Sequence, residues 1–152
     1  MNNSKRMVSH SPEETWDVAR TLLPTLHPGS VLALHGDLGA GKTCFVQGLA
    51  RALGVERAVN SPTFTLINEY PGPLPLYHID LYRIAGAAEA LALGLDDYLH
   101  NNGITAIEWA ERAAVVLPRH TIHILFETGD DPEERIITLN SEQRTANPEH
   151  VS

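Results

Sequence analysis

Eight consecutive residues, Gly36-Asp37-Leu38-Gly39-Ala40-Gly41-Lys42-Thr43, have the types and spacing to hold a polyphosphate. They fit G-x-x-x-x-G-K-[ST], a P-loop whose backbone N–H groups cup phosphate oxygens. Gly36, Gly39 and Gly41 admit positive φ and let the main chain come close, where a Cβ would hold the ligand away. Asp37, Leu38 and Ala40 complete the turn. Lys42 brings a compact charge to the β/γ-phosphates, and the Thr43 hydroxyl is a ligand for Mg²⁺. The chemistry predicted is binding of a nucleoside triphosphate with its cation.

A cation held this way needs a carboxylate from the end of a neighbouring strand. Two segments offer one: Asp80 in Leu76-Tyr77-His78-Ile79-Asp80, and Glu108 closing Ile104-Thr105-Ala106-Ile107-Glu108. A carboxylate at the carboxyl edge of a central strand projects to the side where α/β sheets bind ligands. A lone acid in an apolar run is also costly to bury without a cation. The residues leave open which of the two touches the ion and which orders an attacking water. Ser61-Pro62-Thr63-Phe64 follows the loop's helix, where its hydroxyls would sense the γ-phosphate; a plain Ser-Pro turn is the alternative. Trp109, beside Glu108, reads either as core or as a lid or partner contact. Trp16 is expected in the core rather than stacked on a base. His35, His78, His120 and His123 lack metal-ligand spacing and read as strand residues.

The elements that must position these groups are legible in part. Ser11-Pro12-Glu13-Glu14 is a helix start, with a Ser N-cap, Pro at the first helical position and Glu three residues after the cap. Trp16, Val18, Ala19, Leu22 and Leu23 form an apolar stripe that runs to Pro24. Val31 to His35 is a continuous apolar strand suited to the middle of a sheet. The helix after the loop runs from Cys44 to Leu53 and ends at Gly54. Thr65–Tyr70 and Leu76–Tyr82 read as a strand and its return, joined by the proline-rich turn 71–75. Short helices are expected over Gly86–Leu93 and Asp96–His100. Ile104–Glu108, Thr121–Phe126 and Arg135–Leu139 are further strands, the last two forming a hairpin over Gly129-Asp130-Asp131-Pro132. The pattern predicts an α/β fold: one P-loop NTPase-like domain over 1–140 with a central mixed, mainly parallel sheet flanked by helices. Residues 141–152 read as a polar, disordered tail.

Composition narrows the function classes. The chain has 152 residues, 43% hydrophobic and 20% charged, which is ordinary for a soluble globular domain. Its apolar runs fall short of the roughly 18 residues a membrane helix needs, and its polar start is no signal peptide. The single cysteine, Cys44, precludes an intrachain disulfide, suits a reducing cytosol and is expected as a small buried helix residue. A net charge of −8, from 11 Lys+Arg against 19 Asp+Glu, disfavours unaided nucleic-acid binding.

With Gly36–Thr43, Ser61-Pro62-Thr63-Phe64, His78-Ile79-Asp80-Leu81-Tyr82-Arg83 and Ile107-Glu108-Trp109 in that order, the sequence resembles the TsaE family. These are small bacterial P-loop ATPases of tRNA N6-threonylcarbamoyladenosine biosynthesis. The likeness spans about Ser11 to Leu139. It implies a cytoplasmic protein that binds ATP/ADP and Mg²⁺ and hydrolyses ATP weakly; on its own the chain is expected to be a monomer. It also implies action with the TsaB and TsaD proteins, to reset or drive the modifying complex, with tRNA met only through that complex. By position it assigns Lys42 to the phosphates, Thr43 and Glu108 to Mg²⁺, and Asp80 to hydrolysis. It puts the adenine between Ser11 and the late hairpin turn near Glu133 and Arg135. Arg83 and Arg112 are expected in surface ion pairs rather than at the transition state. Two other readings remain: a small-molecule kinase, disfavoured because no arginine-rich lid is evident, and a non-catalytic nucleotide-gated interaction module. A GTPase lacks its guanine-reading N-K-x-D sequence.

Overall fold

A computed structural model describes residues 4–37, 41–56, 59 and 66–140. Leu38, Gly39 and Ala40 of the loop, Thr65, the Ser61–Phe64 segment and the 141–152 tail lie outside the described residues. In chain order the elements are β1 (Ser4–Ser9), α1 (Pro12–Leu22), β2 (Val31–His35), α2 (Lys42–Ala52) and β3 (Ile67–Tyr70). There follow β4 (Leu76–Asp80), α3 (Ala87–Ala92), α4 (Leu95–Leu99), β5 (Ile104–Glu108), a 3₁₀ stretch Ala110–Val116, β6 (Ile122–Thr128) and β7 (Arg135–Asn140).

Seven strands make one sheet in the order β1-β7-β6-β2-β5-β4-β3. The four central strands, β6, β2, β5 and β4, are mutually parallel. The hairpins β3–β4 and β6–β7 and the strand β1 add antiparallel margins. This is the mixed α/β fold the apolar patterning calls for. β2 lies between two parallel neighbours and is buried on both faces, as a continuous apolar strand must be. Leu32 and Leu34 pack with Phe45, Leu49 and Phe126 on the side of α1 and α2. Val31 and Ala33 pack with Ile79, Ile107, Leu95 and Leu99 on the other side.

The strand absent from the sequence reading is β1. Ser-Lys-Arg-Met-Val-Ser has little apolar patterning, and its main chain is held instead by a six-residue antiparallel register with β7, from Ser4↔Asn140 to Ser9↔Arg135. α1 starts as its residues dictate. The Ser11 hydroxyl accepts from the Glu14 N–H at 3.1 Å, and the Glu14 carboxylate accepts from the His10 N–H at 2.7 Å. α1 and α2 cross closely at Gly48, where a Cβ would lie 2.5 Å from the Trp16 Cα. Trp16 is half-buried at this crossing rather than in the core, with the Arg51 guanidinium 4.4 Å over its ring.

Candidate functional site

β2 delivers the chain to Gly36, whose φ of 140° lies in a region side chains avoid. A Cβ there would also fall 2.5 Å from the Phe126 carbonyl oxygen on β6, so the turn out of the sheet requires glycine. Asp37 is exposed beside it. Gly41, φ 107°, is the N-cap of α2. Lys42 opens the helix and is only 4% exposed. Its Nζ donates to the Gly36 carbonyl at 2.7 Å and sits 4.2 Å from the centre of the Trp109 ring. The ammonium is thus folded back toward Gly36, held by one carbonyl and one aromatic face.

The next residue, Thr43, donates from Oγ1 to Glu108 Oε2 at 3.1 Å. Glu108 ends β5, and its neighbours in register are Leu34 on β2 and Asp80 on β4. The carboxyl ends of three parallel strands therefore meet where the chain turns into α2. Glu108 is 4% exposed, and His78 is fully buried. Their contact is 2.6 Å, from His78 Nε2 to the same Oε2. Asp80 is half-exposed one strand further out, and its Oδ1 accepts from the Tyr82 N–H at 2.9 Å. Burial raises the Asp80 carboxyl above the usual carboxylate range; the Tyr82 N–H opposes this, and the negative charge of Glu108 reinforces it. Both acids singled out in the sequence stand at this edge, and the contact to Thr43 belongs to Glu108.

Trp109 takes the left-handed conformation, φ 59°, which turns the chain sharply out of β5 and lays its ring over Lys42. Tyr82 packs against it at 5.0 Å between ring centres. Arg112, expected in a surface ion pair, instead lies 5.8 Å from the Tyr82 ring and 5.7 Å from the Trp109 ring. At the end of β2, His35 shares a 3.0 Å hydrogen bond with His123, and its other nitrogen lies 3.4 Å from Glu111. Burial depresses the His35 pKa, and Glu111 partly restores it. Sequence reasoning treated His78 only as a strand residue. The signal was its spacing of two from Asp80, which puts both on the face of β4 that looks across to Glu108.

Ser11, Gly41, Cys44, Glu133 and Arg135 line a second feature, a cavity of about 330 Å³ between the first turn of α1 and the β6–β7 turn. Arg135 Nη1 is pinned to the carbonyls of Pro132 and Glu134 at 2.8 and 3.1 Å, and its aliphatic stem lies beside Gly41. The three residues assigned to adenine by resemblance thus share one opening next to the loop. Cys44 is half-buried here rather than fully enclosed, and burial pushes its thiol pKa up. Among the described residues no group of three or more His, Cys, Asp or Glu could hold a metal ion, and no helix is long and apolar enough to cross a membrane.

Comparison with known proteins gives one consistent likeness. The model of the family described as "Threonylcarbamoyl adenosine biosynthesis protein TsaE" matches residues 9–137. The tRNA threonylcarbamoyladenosine biosynthesis protein TsaE of Bacillus subtilis is 47% identical over 127 residues, covering 83% of this chain and 79% of that one. The protein of the same name from Treponema pallidum is 44% identical over 131 residues, covering 86% and 97%. The crystal structure of Bacillus subtilis YdiB matches with a TM-score of 0.81 at 40% identity, over 95% of this chain and 90% of that one.

Proposed function

Since the chain belongs to the TsaE family, we propose that it is a weak, Mg²⁺-dependent ATPase of tRNA N6-threonylcarbamoyladenosine biosynthesis. The observation that carries this reading is the convergence of Lys42, Thr43 and Glu108 at the mouth of the loop, with Thr43 and Glu108 3.1 Å apart. A hydroxyl and one carboxylate are hard oxygen donors. They suit Mg²⁺, which keeps several waters and is bound through one or two carboxylates plus the phosphates of its nucleotide. The fit therefore holds on the donor set itself. When bound, the cation would supply charge neutralisation at the polyphosphate.

The chain's own residues supply the rest. Lys42 reaches the phosphates as a point charge, releasing the Gly36 carbonyl and keeping Trp109 as a wall that excludes water. The main-chain N–H groups at the start of α2, with the helix dipole behind them, favour the polyphosphate. Thr43 and Glu108 hold the cation. Asp80 orders the attacking water with the oxygen that the Tyr82 N–H leaves free; its raised pKa suits a group that accepts a proton late. The adenine occupies the cavity between Ser11 and Arg135, whose volume lies at the lower end for small-ligand pockets.

The protein works in the cytoplasm with TsaB and TsaD and meets tRNA through them. A net charge of −8 fits a subunit that leaves the nucleic acid to its partners. The test is ATP turnover by purified protein with and without TsaB and TsaD. Slow hydrolysis that rises on adding the partners is expected. Hydrolysis indifferent to them, or a metabolite phosphorylated stoichiometrically instead, would overturn the reading.

A further inference from the structure

The charged cluster at the loop contains one buried group with no part in the account above. His78 is fully enclosed, at 0% exposure, on the strand next to the one bearing Glu108. Its Nδ1 has no hydrogen-bond partner among the described residues. Its Nε2 lies 2.6 Å from Glu108 Oε2, the oxygen that also accepts from Thr43. A carboxylate oxygen only accepts, so the proton of this contact sits on Nε2. A buried imidazole that uses one nitrogen and forgoes the other is poorly placed as a packing residue, because an apolar side chain would fill the space without an unsatisfied atom. What the imidazole adds is direction. The bonds from His78 and Thr43 converge on one oxygen from two elements, β4 and α2, and fix the rotation of the Glu108 carboxylate, leaving Oε1 engaged by neither.

We propose that His78 is a positioning residue for the cation site: its Nε2–H orients the Glu108 carboxylate so that Mg²⁺ meets a preset ligand. The inference rests on the nucleotide–Mg²⁺ reading given above. Groups that orient a metal-binding carboxylate typically change metal affinity or activity by about 10–100-fold when removed. His78 acts through Glu108 and leaves the phosphate contacts of Lys42 alone. Its removal therefore separates two quantities that a general loss of structure would move together.

The experiment measures ADP affinity by calorimetry as a function of Mg²⁺ concentration for the unmodified protein and for H78L, H78N and H78Q. Gln carries its amide nitrogen as many bonds from Cβ as the imidazole carries Nε2, whereas Asn places it one bond short. The Mg²⁺ concentration needed for half the gain in affinity should rise about 10–100-fold in H78L and H78N. It should return most of the way in H78Q, with affinity in EDTA unchanged throughout. An unchanged Mg²⁺ requirement in H78L, or equal rescue by H78N and H78Q, would overturn the proposal. Long-range proton–nitrogen spectra of the unmodified protein give an answer that needs no variant. They should show the His78 proton on Nε2, and a proton on Nδ1 alone would refute the orienting bond. Should the unmodified protein bind ADP with no response to Mg²⁺, the nucleotide–metal reading fails instead, and the two failures are told apart.

Discussion

Gly48→Ala separates two physical expectations that differ in sign. Gly48 sits inside α2, and on helix propensity alone alanine should stabilise the protein by about 1 kcal/mol. The crossing with α1 reverses that. The new Cβ would stand 2.5 Å from the Trp16 Cα, 3.0 Å from its Cβ and 3.1 Å from its Cδ1. Carbon atoms settle at roughly 3.5–4.0 Å, so the helices must separate by about 1 Å. The obstructing atom is backbone, which no rotamer change can move, and that places the cost near the top of the roughly 1–3 kcal/mol range for overpacking. Net of the propensity gain, the variant loses about 2 kcal/mol, a fall in Tm of about 4–8 °C for a chain of this size. α2 also carries Lys42 and Thr43 in its first turn, with Thr43 3.1 Å from Glu108. Hydrolysis should therefore fall too, by up to about 100-fold for a misplacement on the order of 1 Å. Thermal denaturation by circular dichroism reads the first effect and single-turnover ATP hydrolysis the second. A Tm that is unchanged or raised would refute the packing argument, whatever the activity.

Three other variants have defined expected outcomes. Lys42→Ala should weaken ATP binding by about 10–100-fold, the equivalent of a charge-assisted bond worth roughly 1.5–3 kcal/mol, while far-UV circular dichroism stays unchanged; calorimetry showing unaltered affinity would remove the lysine from the site. Asp80→Asn should reduce hydrolysis more than ATP binding, and losses of equal size in both would recast Asp80 as a ligand for the nucleotide's cation. The same variant should be more stable than the parent at neutral pH. The folded carboxyl is held above its ordinary 3.8, so the folded state binds more protons than the unfolded state as pH rises through that window, and stability is lost there. Half exposed, Asp80 is screened by solvent, and the gain in Tm should not exceed the roughly 2–4 °C that 1 kcal/mol produces; no convergence of the two melting curves below pH 3.8 would contradict the assignment. His35, whose pKa burial lowers, works in the opposite sense: the unfolded state takes the proton first, so its contribution falls as pH drops through the window below 6.5. His35→Gln should flatten the stability profile there, and an unchanged slope would show that another group sets it.

How much of this could be read from the chain follows from which forces are local. The α1 start, the apolar run of β2 and the turn at Gly129–Pro132 depend on neighbours in sequence, and each stands where its residues place it. β1 is different. Its Ser, Lys and Arg carry no period-2 apolar signal, and it becomes a strand only because β7 offers an open edge more than a hundred residues away. The site splits the same way. The loop motif and the two strand-end acids were visible, since strong residue preferences mark them. The Lys42–Trp109 contact, the cavity shared by Ser11 and Arg135, and the His78–Glu108 bond required knowledge of which strands are neighbours. A binary pattern of apolar and polar residues carries no such register. Cys44 shows the same limit, because its half exposure depends on the β6–β7 turn standing off α1.

Strand order also distinguishes the surroundings of the two acids. In the order β6-β2-β5-β4, β5 adjoins β2, whereas β4 is one strand removed. Strands lie about 4.8 Å apart, so residues opposite one another on β5 and β4 reach different depths relative to the loop that leaves β2. Glu108 and Asp80 are opposite in register, yet only the nearer one meets Thr43. The nearer acid is also the buried one, enclosed by His78 and Thr43 in a setting that rewards a bound cation. The outer acid is half exposed, has its Oδ1 held by the Tyr82 N–H, and carries a pKa pushed upward by burial and by Glu108. Two carboxylates that would be equivalent in an alignment of strand ends thus acquire different surroundings from one interstrand spacing. The same spacing favours assigning the metal to Glu108 and the water to Asp80: an acid poised to accept a proton must not already be committed to the ion.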